Sequence, residues 1–184
     1  MNLIDAEFAR AAKEQSEAEA LDQCRLDLAL CDAVGRGDMI AVRQCLEDGA
    51  RGSGSSYVTV SPKGSPLHIA CRFTRPNVLH YLLDTVVKKN KDAIHERDLR
   101  QLTALHVACR IGWTEGVRVG LLVSVCSFSV THILESYQVL LKHGARLDLC
   151  DELGFTPVHF AASSGKIEVL EFLRRYAEES KISL

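Results

Sequence analysis

Three segments of this chain share one pattern, and their recurrence constrains the fold more than any other feature of the sequence. They are Ser65–Cys71 (SPLHIAC), Thr103–Cys109 (TALHVAC) and Thr156–Ala162 (TPVHFAA). Each segment has a hydroxyl residue, then Pro or Ala, an apolar residue, a histidine and, two residues later, an alanine. Self-similarity at a spacing of about 20 to 50 residues is typical of repeat proteins. We therefore predict a short array of similar units.

The pattern also predicts the structure of each unit. Ser or Thr at the helix N-cap followed by Pro at the first helical position is a strong helix start, because the proline lacks an N–H that would have no partner there. The alanines that follow the histidine allow a second helix to approach closely. Apolar residues at helical spacing come next, namely Val78, Leu79, Leu82 and Leu83, then Val139, Leu140 and Leu141, then Val169, Leu170 and Leu173. Each unit should therefore be an antiparallel pair of helices.

The T-P-L-H-x-A pattern is that of the ankyrin repeat, and the chain resembles this family over residues 28–178. A degenerate first copy begins near Leu28 and lacks the TPLH segment. The resemblance implies an all-α fold, an ankyrin-type helix-turn-helix solenoid with β-turn fingers, and it places fingers at Asp98 and Asp151. We expect residues 1–27 to form a flanking helix or a frayed cap, and residues 179–184 to form a C-terminal tail.

The third unit contains a candidate insertion. Repeats open near residues 28, 65, 103 and 156, so the third is much longer than the others. Removing residues 116–135 leaves eleven residues between Gly112 and Gly144, the same count as between Gly37 and Gly49. The segment could be a retained intron, an alternative exon or a functional loop. A membrane span is disfavoured, because its uncharged stretch of sixteen residues, 119–134, is shorter than the ~20 that a bilayer requires.

Two stretches compete to be the second helix of this unit. Thr114–Leu122 contains two glycines, each of which costs about 1 kcal/mol relative to Ala inside a helix. Ser136–His143 contains none and leads directly into Gly144. We therefore expect the second helix at 136–143.

Composition excludes several classes of function. The formal net charge is −2, with 22 Lys+Arg against 24 Asp+Glu, which disfavours a polybasic nucleic-acid binder. The seven cysteines form no CxxC pair and the N-terminus has no apolar signal segment, so a cytoplasmic or nuclear location fits best. His68 and His106 each precede a cysteine by three residues, but a histidine that recurs once per repeat indicates a structural role. We predict no catalytic site, no cofactor and no metal.

The repeat register predicts which residues reach the concave face, where the resemblance implies that partners bind. This face combines arginines with apolar residues, a composition typical of a recognition patch. The candidate partner-binding residues are Arg36, Arg72, Phe73, Leu99, Arg100, Leu102, Arg110, Ile111, Leu153 and Phe155.

The sequence thus favours a monomeric, non-enzymatic protein-interaction module, a scaffold or adaptor. The expected partner is another protein, through an acidic or phosphorylated segment with apolar anchors, rather than a nucleic acid or a membrane. The alternative is a truncated or alternatively spliced isoform of a larger regulatory protein whose effector or catalytic domain is absent from this chain.

Overall fold

A computed structural model describes residues 3–53, 64–111 and 136–180, and these residues form helices and no strand. The helices are α1 (Leu3–Arg36), α2 (Met39–Glu47), α3 (Pro66–Arg72), α4 (Pro76–Leu82), α5 (Ala104–Ile111), α6 (136–142), α7 (Pro157–Ser163) and α8 (Ile167–Ser180). A π-helical turn, Leu83–Val87, continues α4, and a 3₁₀ turn spans Lys91–His95. The predicted all-α fold is confirmed. The candidate insertion at 116–135 lies outside the described residues.

First helices stack on one another along the array, and each pairs with a second helix. Helix α1 contacts α3, α3 contacts α5 and α5 contacts α7, while α2, α4 and α8 pack beside α1, α3 and α7. Ala70, Ala108 and Ala161 are at most 4% exposed. These small residues let the helices approach closely, as the pattern predicts, so the core runs the length of the stack.

Helix α1 passes without a break through residue 28, where the first repeat was expected to begin. No glycine or proline occurs from Leu3 to Val34, so nothing in the sequence interrupts the helix. Buried Asp27 then fixes the helix to the loop after α2, since its carboxylate accepts from the backbone N–H of Arg51 at 3.1 Å and pairs with the Arg51 guanidinium at 3.2 Å. The flanking segment and the first helix of the first repeat therefore form one continuous helix.

The second helix of the third repeat is at 136–142, within the stretch favoured by the sequence. Tyr137, Leu140 and Leu141 are at most 2% exposed, so this helix is packed into the core. Residues 114–122 lie outside the part of the chain that the structure describes. The alternative prediction of a second helix at Thr114–Leu122 is therefore not tested. At the other end, α8 runs to Ser180 and passes the expected domain limit at residue 178.

Candidate partner-binding surface

Two of the repeated histidines, His68 and His106, each connect their own repeat to the following one. His68 Nδ1 lies 2.8 Å from the Ser65 hydroxyl, and its Nε2 lies 2.8 Å from the carbonyl oxygen of Leu102. His106 repeats the arrangement, with Nδ1 2.9 Å from the Thr103 hydroxyl and Nε2 3.2 Å from the Phe155 carbonyl oxygen. Each ring therefore orders its own helix start and holds the finger of the following repeat.

The same bonds occupy the ring nitrogens through which His68 and His106 would bind a metal ion. Both ring nitrogens of His68 and His106 are engaged by the protein, and burial lowers the pKa of each ring, which keeps it neutral. Within the described ranges, no three His, Cys, Asp or Glu side chains are grouped so that they could hold a metal ion. The structural role predicted for these histidines accounts for their contacts.

The two fingers share one hydrogen-bond pattern. Asp98 Oδ1 accepts from the backbone N–H groups of Arg100 and Leu102 at 2.8 and 2.9 Å. Asp151 Oδ1 accepts from the N–H groups of Leu153 and Phe155 at 3.0 and 2.8 Å. An aspartate that caps its own turn in this way fixes the loop. The side chains at the finger tips therefore project from a rigid base.

A pocket of about 750 Å³ lies between these fingers and the first helices of the last two repeats. We call it the finger pocket. Its lining combines apolar, basic and acidic side chains: Arg100, Leu102, Arg110, Asp151, Glu152, Leu153, Phe155, His159, Phe160, Ala162 and Ser163. Five of these residues were predicted as partner-binding from the sequence, so the structure brings half of the predicted set together in one place.

Leu102 forms the covered part of the finger pocket and not an exposed contact, which corrects the expectation from the repeat register. It is 3% exposed, because its carbonyl is held by His68 and its N–H by Asp98. Phe155 is 46% exposed, and its ring lies 6.5 Å from that of Phe160 and 5.8 Å from that of His159. These rings give the pocket an aromatic wall.

The arginines of the predicted row differ in what they contact. The guanidinium of Arg36 pairs with Asp32 on the same helix. Arg100 and Arg110 line the finger pocket, and the structure shows no side-chain hydrogen bond or ion pair from either to another described residue. Arg72 Nε is buried and has no hydrogen-bond partner in the same part of the chain. The positive charge that a partner could use therefore lies mainly on Arg100 and Arg110, in the later repeats.

The remaining predicted residues divide between the finger tips and the helix ends. Leu99 and Leu153 are 56% and 73% exposed at the two finger tips. Phe73 and Ile111 follow the last arginines of α3 and α5, and Phe73 is 39% exposed. Sequence reasoning did not select Phe160 for the site. A signal was available, since Phe160 holds the variable position after the histidine, where the other repeats have Ile or Val.

Comparison with known families supports the repeat assignment. Residues 63–93 match the sequence model described as "Ankyrin repeat", and residues 134–174 match the one described as "Ankyrin repeats (many copies)". The chain is an ankyrin repeat protein. Ankyrin repeats generally serve as non-enzymatic modules for binding other proteins, so the interaction role expected from the sequence is confirmed at that general level.

Three curated proteins are similar to parts of the chain. The chain is 29% identical to the mouse B-cell lymphoma 3 protein homolog, over 70% of the chain and 32% of that protein. It is 33% identical to the glycerophosphocholine phosphodiesterase GDE1 of Eremothecium gossypii, over 58% of the chain and 6% of that protein. It is 26% identical to the human BCL-6 corepressor-like protein 1, over 64% of the chain and 5% of that protein.

The chain therefore spans about a third of one relative and about a twentieth of the other two. In the parts of this ankyrin repeat protein that the structure describes, no helix is both long enough and apolar enough to cross a membrane.

Proposed function

We propose that this ankyrin repeat protein binds another protein through the finger pocket and the adjoining concave face, and that the bound segment is acidic or phosphorylated and carries an apolar anchor. The observation that carries the proposal is the pairing of an aromatic wall with guanidinium groups that have no partner among the described residues. The mechanism is binding to a rigid surface, without chemistry on the partner.

The apolar part of the pocket supplies affinity. Phe155 and Phe160 offer aromatic surface beside the covered side chain of Leu102. Burying one Leu or Phe side chain of a partner is worth about 1.5–3 kcal/mol. An anchor of this kind fits a pocket of about 750 Å³, whose walls are held by the hydrogen-bonded fingers.

The charges supply orientation. Arg100 and Arg110 can each donate charge-assisted hydrogen bonds to a carboxylate or a phosphate. Asp151 and Glu152 lie on the same pocket and repel such groups. Because Asp151 already accepts two finger N–H groups, its carboxylate is fixed in place. The acidic group of the partner should therefore lie toward the arginines, which sets the direction of the bound segment.

The test uses synthetic fluorescent peptides in which Phe lies about two residues from Glu, phosphoserine or, as a neutral control, Gln. Peptides with both the aromatic and the acidic group should bind best. The double variant Arg100→Glu with Arg110→Glu should weaken their binding by at least about tenfold. Arg72→Glu, one repeat earlier, should have a smaller effect, and all variants should keep the helical circular-dichroism spectrum.

A matched double variant separates the site from overall charge. Lys142→Glu with Arg175→Glu makes the same change in net charge at two exposed positions on second helices α6 and α8. This variant should bind like the unmodified chain. Equal loss in both double variants, or undiminished binding by the pocket variant, would remove the finger pocket from the account.

A second candidate function is recruitment for another domain: the chain would be part of a larger regulatory protein or a shorter isoform of one. The observation that favours it is the small share of each relative that this chain spans. Under this proposal, the ankyrin repeats recruit the partner and a domain elsewhere acts on it. Mass spectrometry of the endogenous protein, precipitated by an antibody to this region, tests it: tryptic peptides from beyond this sequence are expected.

The monomeric state and the cytoplasmic or nuclear location belong to the same proposal. The location is inferred from the cysteine usage of the sequence, and the monomeric state is an expectation for a short repeat array. Analytical ultracentrifugation and fluorescence microscopy of the tagged chain test them directly.

A further inference from the structure

One position recurs near the end of each first helix, and these positions form a row along the stack. On α3, Arg72 follows His68 by four residues. On α5, Arg110 follows His106 by four residues. Residues four apart lie on the same side of a helix, so each arginine lies on the side of the histidine that holds the next finger. We call the four equivalent positions the concave row: Gly35, Arg72, Arg110 and Ser163.

Arg72 is held in place by packing and keeps its charge available. The side chain is half-buried, and its Nε atom is shielded from solvent without a hydrogen-bond partner among the described residues. Its terminal nitrogens also make no hydrogen bond or ion pair within that part of the chain. A side chain that is already ordered loses little freedom when it binds a partner. The end of this guanidinium is therefore a preorganised donor for an acidic group.

The concave row contains two guanidinium groups and is bounded at both ends. Gly35 has no side chain, and the Ser163 hydroxyl donates to the carbonyl oxygen of Phe160 at 3.1 Å. A segment that lies along the row therefore meets positive charge at two places. One is Arg110, which lines the finger pocket with Arg100, and the other is Arg72, one repeat earlier.

The stacking of the helices sets the distance between these two places. Helices α3 and α5 pack directly on each other, and packed helices have axes roughly 8–10 Å apart. An extended segment of the polyproline II type rises ~3.1 Å per residue with three residues per turn, so side chains three residues apart share one side at a distance of ~9 Å. In a β-strand, side chains three residues apart face opposite sides. The row therefore matches a polyproline II segment with acidic residues three positions apart.

We propose that the partner carries two acidic residues in the spacing acidic-x-x-acidic, and that Arg72 binds the second one. The first acidic group pairs with Arg100 and Arg110, beside the apolar anchor in the finger pocket. The second is a carboxylate, because a single guanidinium matches the two oxygens of a carboxylate through parallel hydrogen bonds. A third acidic residue at the same spacing adds nothing, since it lies over Gly35. This inference rests on the proposed function and extends its site by one repeat.

The experiment compares fluorescent peptides that share one Phe and one Glu. Three residues from that Glu, on the side away from the Phe, they carry either a second Glu or Gln, and both chain directions are synthesised. In the better direction, the second Glu should tighten binding to the full chain by at least about threefold. A second Glu placed two or four residues from the first should give a smaller gain. In the isotope-labelled chain, the Nε–H signal of Arg72 should shift with the two-Glu peptide and not with its Gln counterpart.

Two variants test the assignment of the second acidic group to Arg72. Arg72→Gln should bind the two-Glu peptide and its Gln counterpart equally. Lys142→Gln makes the same change in charge at an exposed position of α6, and it is the matched control that should keep the full gain.

A third variant should extend the row. A Cβ atom at Gly35 would lie 3.8–3.9 Å from side-chain atoms of Ile69 and Phe73, which is ordinary contact, so a side chain fits there. Gly35→Arg should make a third Glu, three residues beyond the second, tighten binding by at least about twofold. The unmodified chain should bind the two-Glu and three-Glu peptides equally.

The outcomes separate this inference from the proposed function. If the one-Glu peptide binds through the finger pocket and the second Glu adds nothing, the inference is overturned and the pocket stands. A full gain that persists in Arg72→Gln also overturns the inference. If neither peptide binds the unmodified chain, both proposals fail. The spacing series uses only the unmodified chain, so it decides the matter even where a variant loses its helical circular-dichroism spectrum.

Discussion

At the scale of residues, His68 and His106 each stabilise the stack as a neutral ring. In each ring Nδ1 accepts and Nε2 donates, so a protonated ring would lose the acceptor that orders the helix start. The TPLH pattern predicted this structural role because it repeats in register. It did not predict that His159 would be exposed, since exposure depends on what covers the last repeat.

The neutral rings predict a dependence of stability on pH. Burial lowers the pKa of His68 and His106 in the folded chain. Below about pH 6.5, the ordinary pKa of histidine, the unfolded chain takes up protons that the folded chain does not, so the free energy of unfolding falls as the pH falls. The limiting slope is about 1.4 kcal/mol per pH unit for each ring. Urea denaturation at about pH 7.5 and about pH 5.5 measures this change in the free energy of unfolding.

A single variant checks the assignment of this slope. His106→Asn keeps an acceptor for the Thr103 N–H but does not titrate in this range. It should lower stability at neutral pH and reduce the pH dependence by about half, since one of two rings is removed. A free energy of unfolding that is the same at both pH values in the unmodified chain would contradict the neutral-ring account.

At the scale of elements, the sequence predicted the helices that have a sharp start or a glycine stop. The N-cap and proline at Ser65–Pro66 and Thr156–Pro157 predicted the beginnings of α3 and α7 correctly. Helix α1 has no internal stop and runs through residue 28, where the repeat register places the opening of the first repeat. Repeat periodicity locates equivalent positions, but local sequence determines where a helix ends.

The candidate insertion gives a prediction at the same scale. Deleting residues 116–135 should raise the melting temperature, because Tyr137 and Leu141 already occupy the positions of Leu79 and Leu83 and the remaining count of residues matches an uninterrupted repeat. The gain should exceed the ~0.5 kcal/mol of an ordinary surface change. Thermal melts of the two chains, followed by circular dichroism, provide the comparison. An equal or lower melting temperature after deletion would mean that the segment is an integrated part of the third repeat.

At the scale of the whole molecule, the repeat register predicts which residues share a face of the array but not the contacts that each side chain makes. The register placed Arg100, Arg110 and Phe155 on one face, because equivalent positions of a solenoid face the same side, and all three line the finger pocket. It could not show that Arg36 pairs with Asp32 or that Leu102 is covered, since these depend on contacts between particular side chains.

The central claim, that partners bind the concave side at the finger pocket, is tested most directly by mapping amide shifts of the labelled chain on addition of the tightest acidic, Phe-containing peptide. The account predicts shifts at Arg100, Arg110 and Phe155, and at neighbouring finger residues, with none on the exposed sides of second helices α4 and α8. Shifts centred on those second helices, with the fingers unchanged, would contradict it.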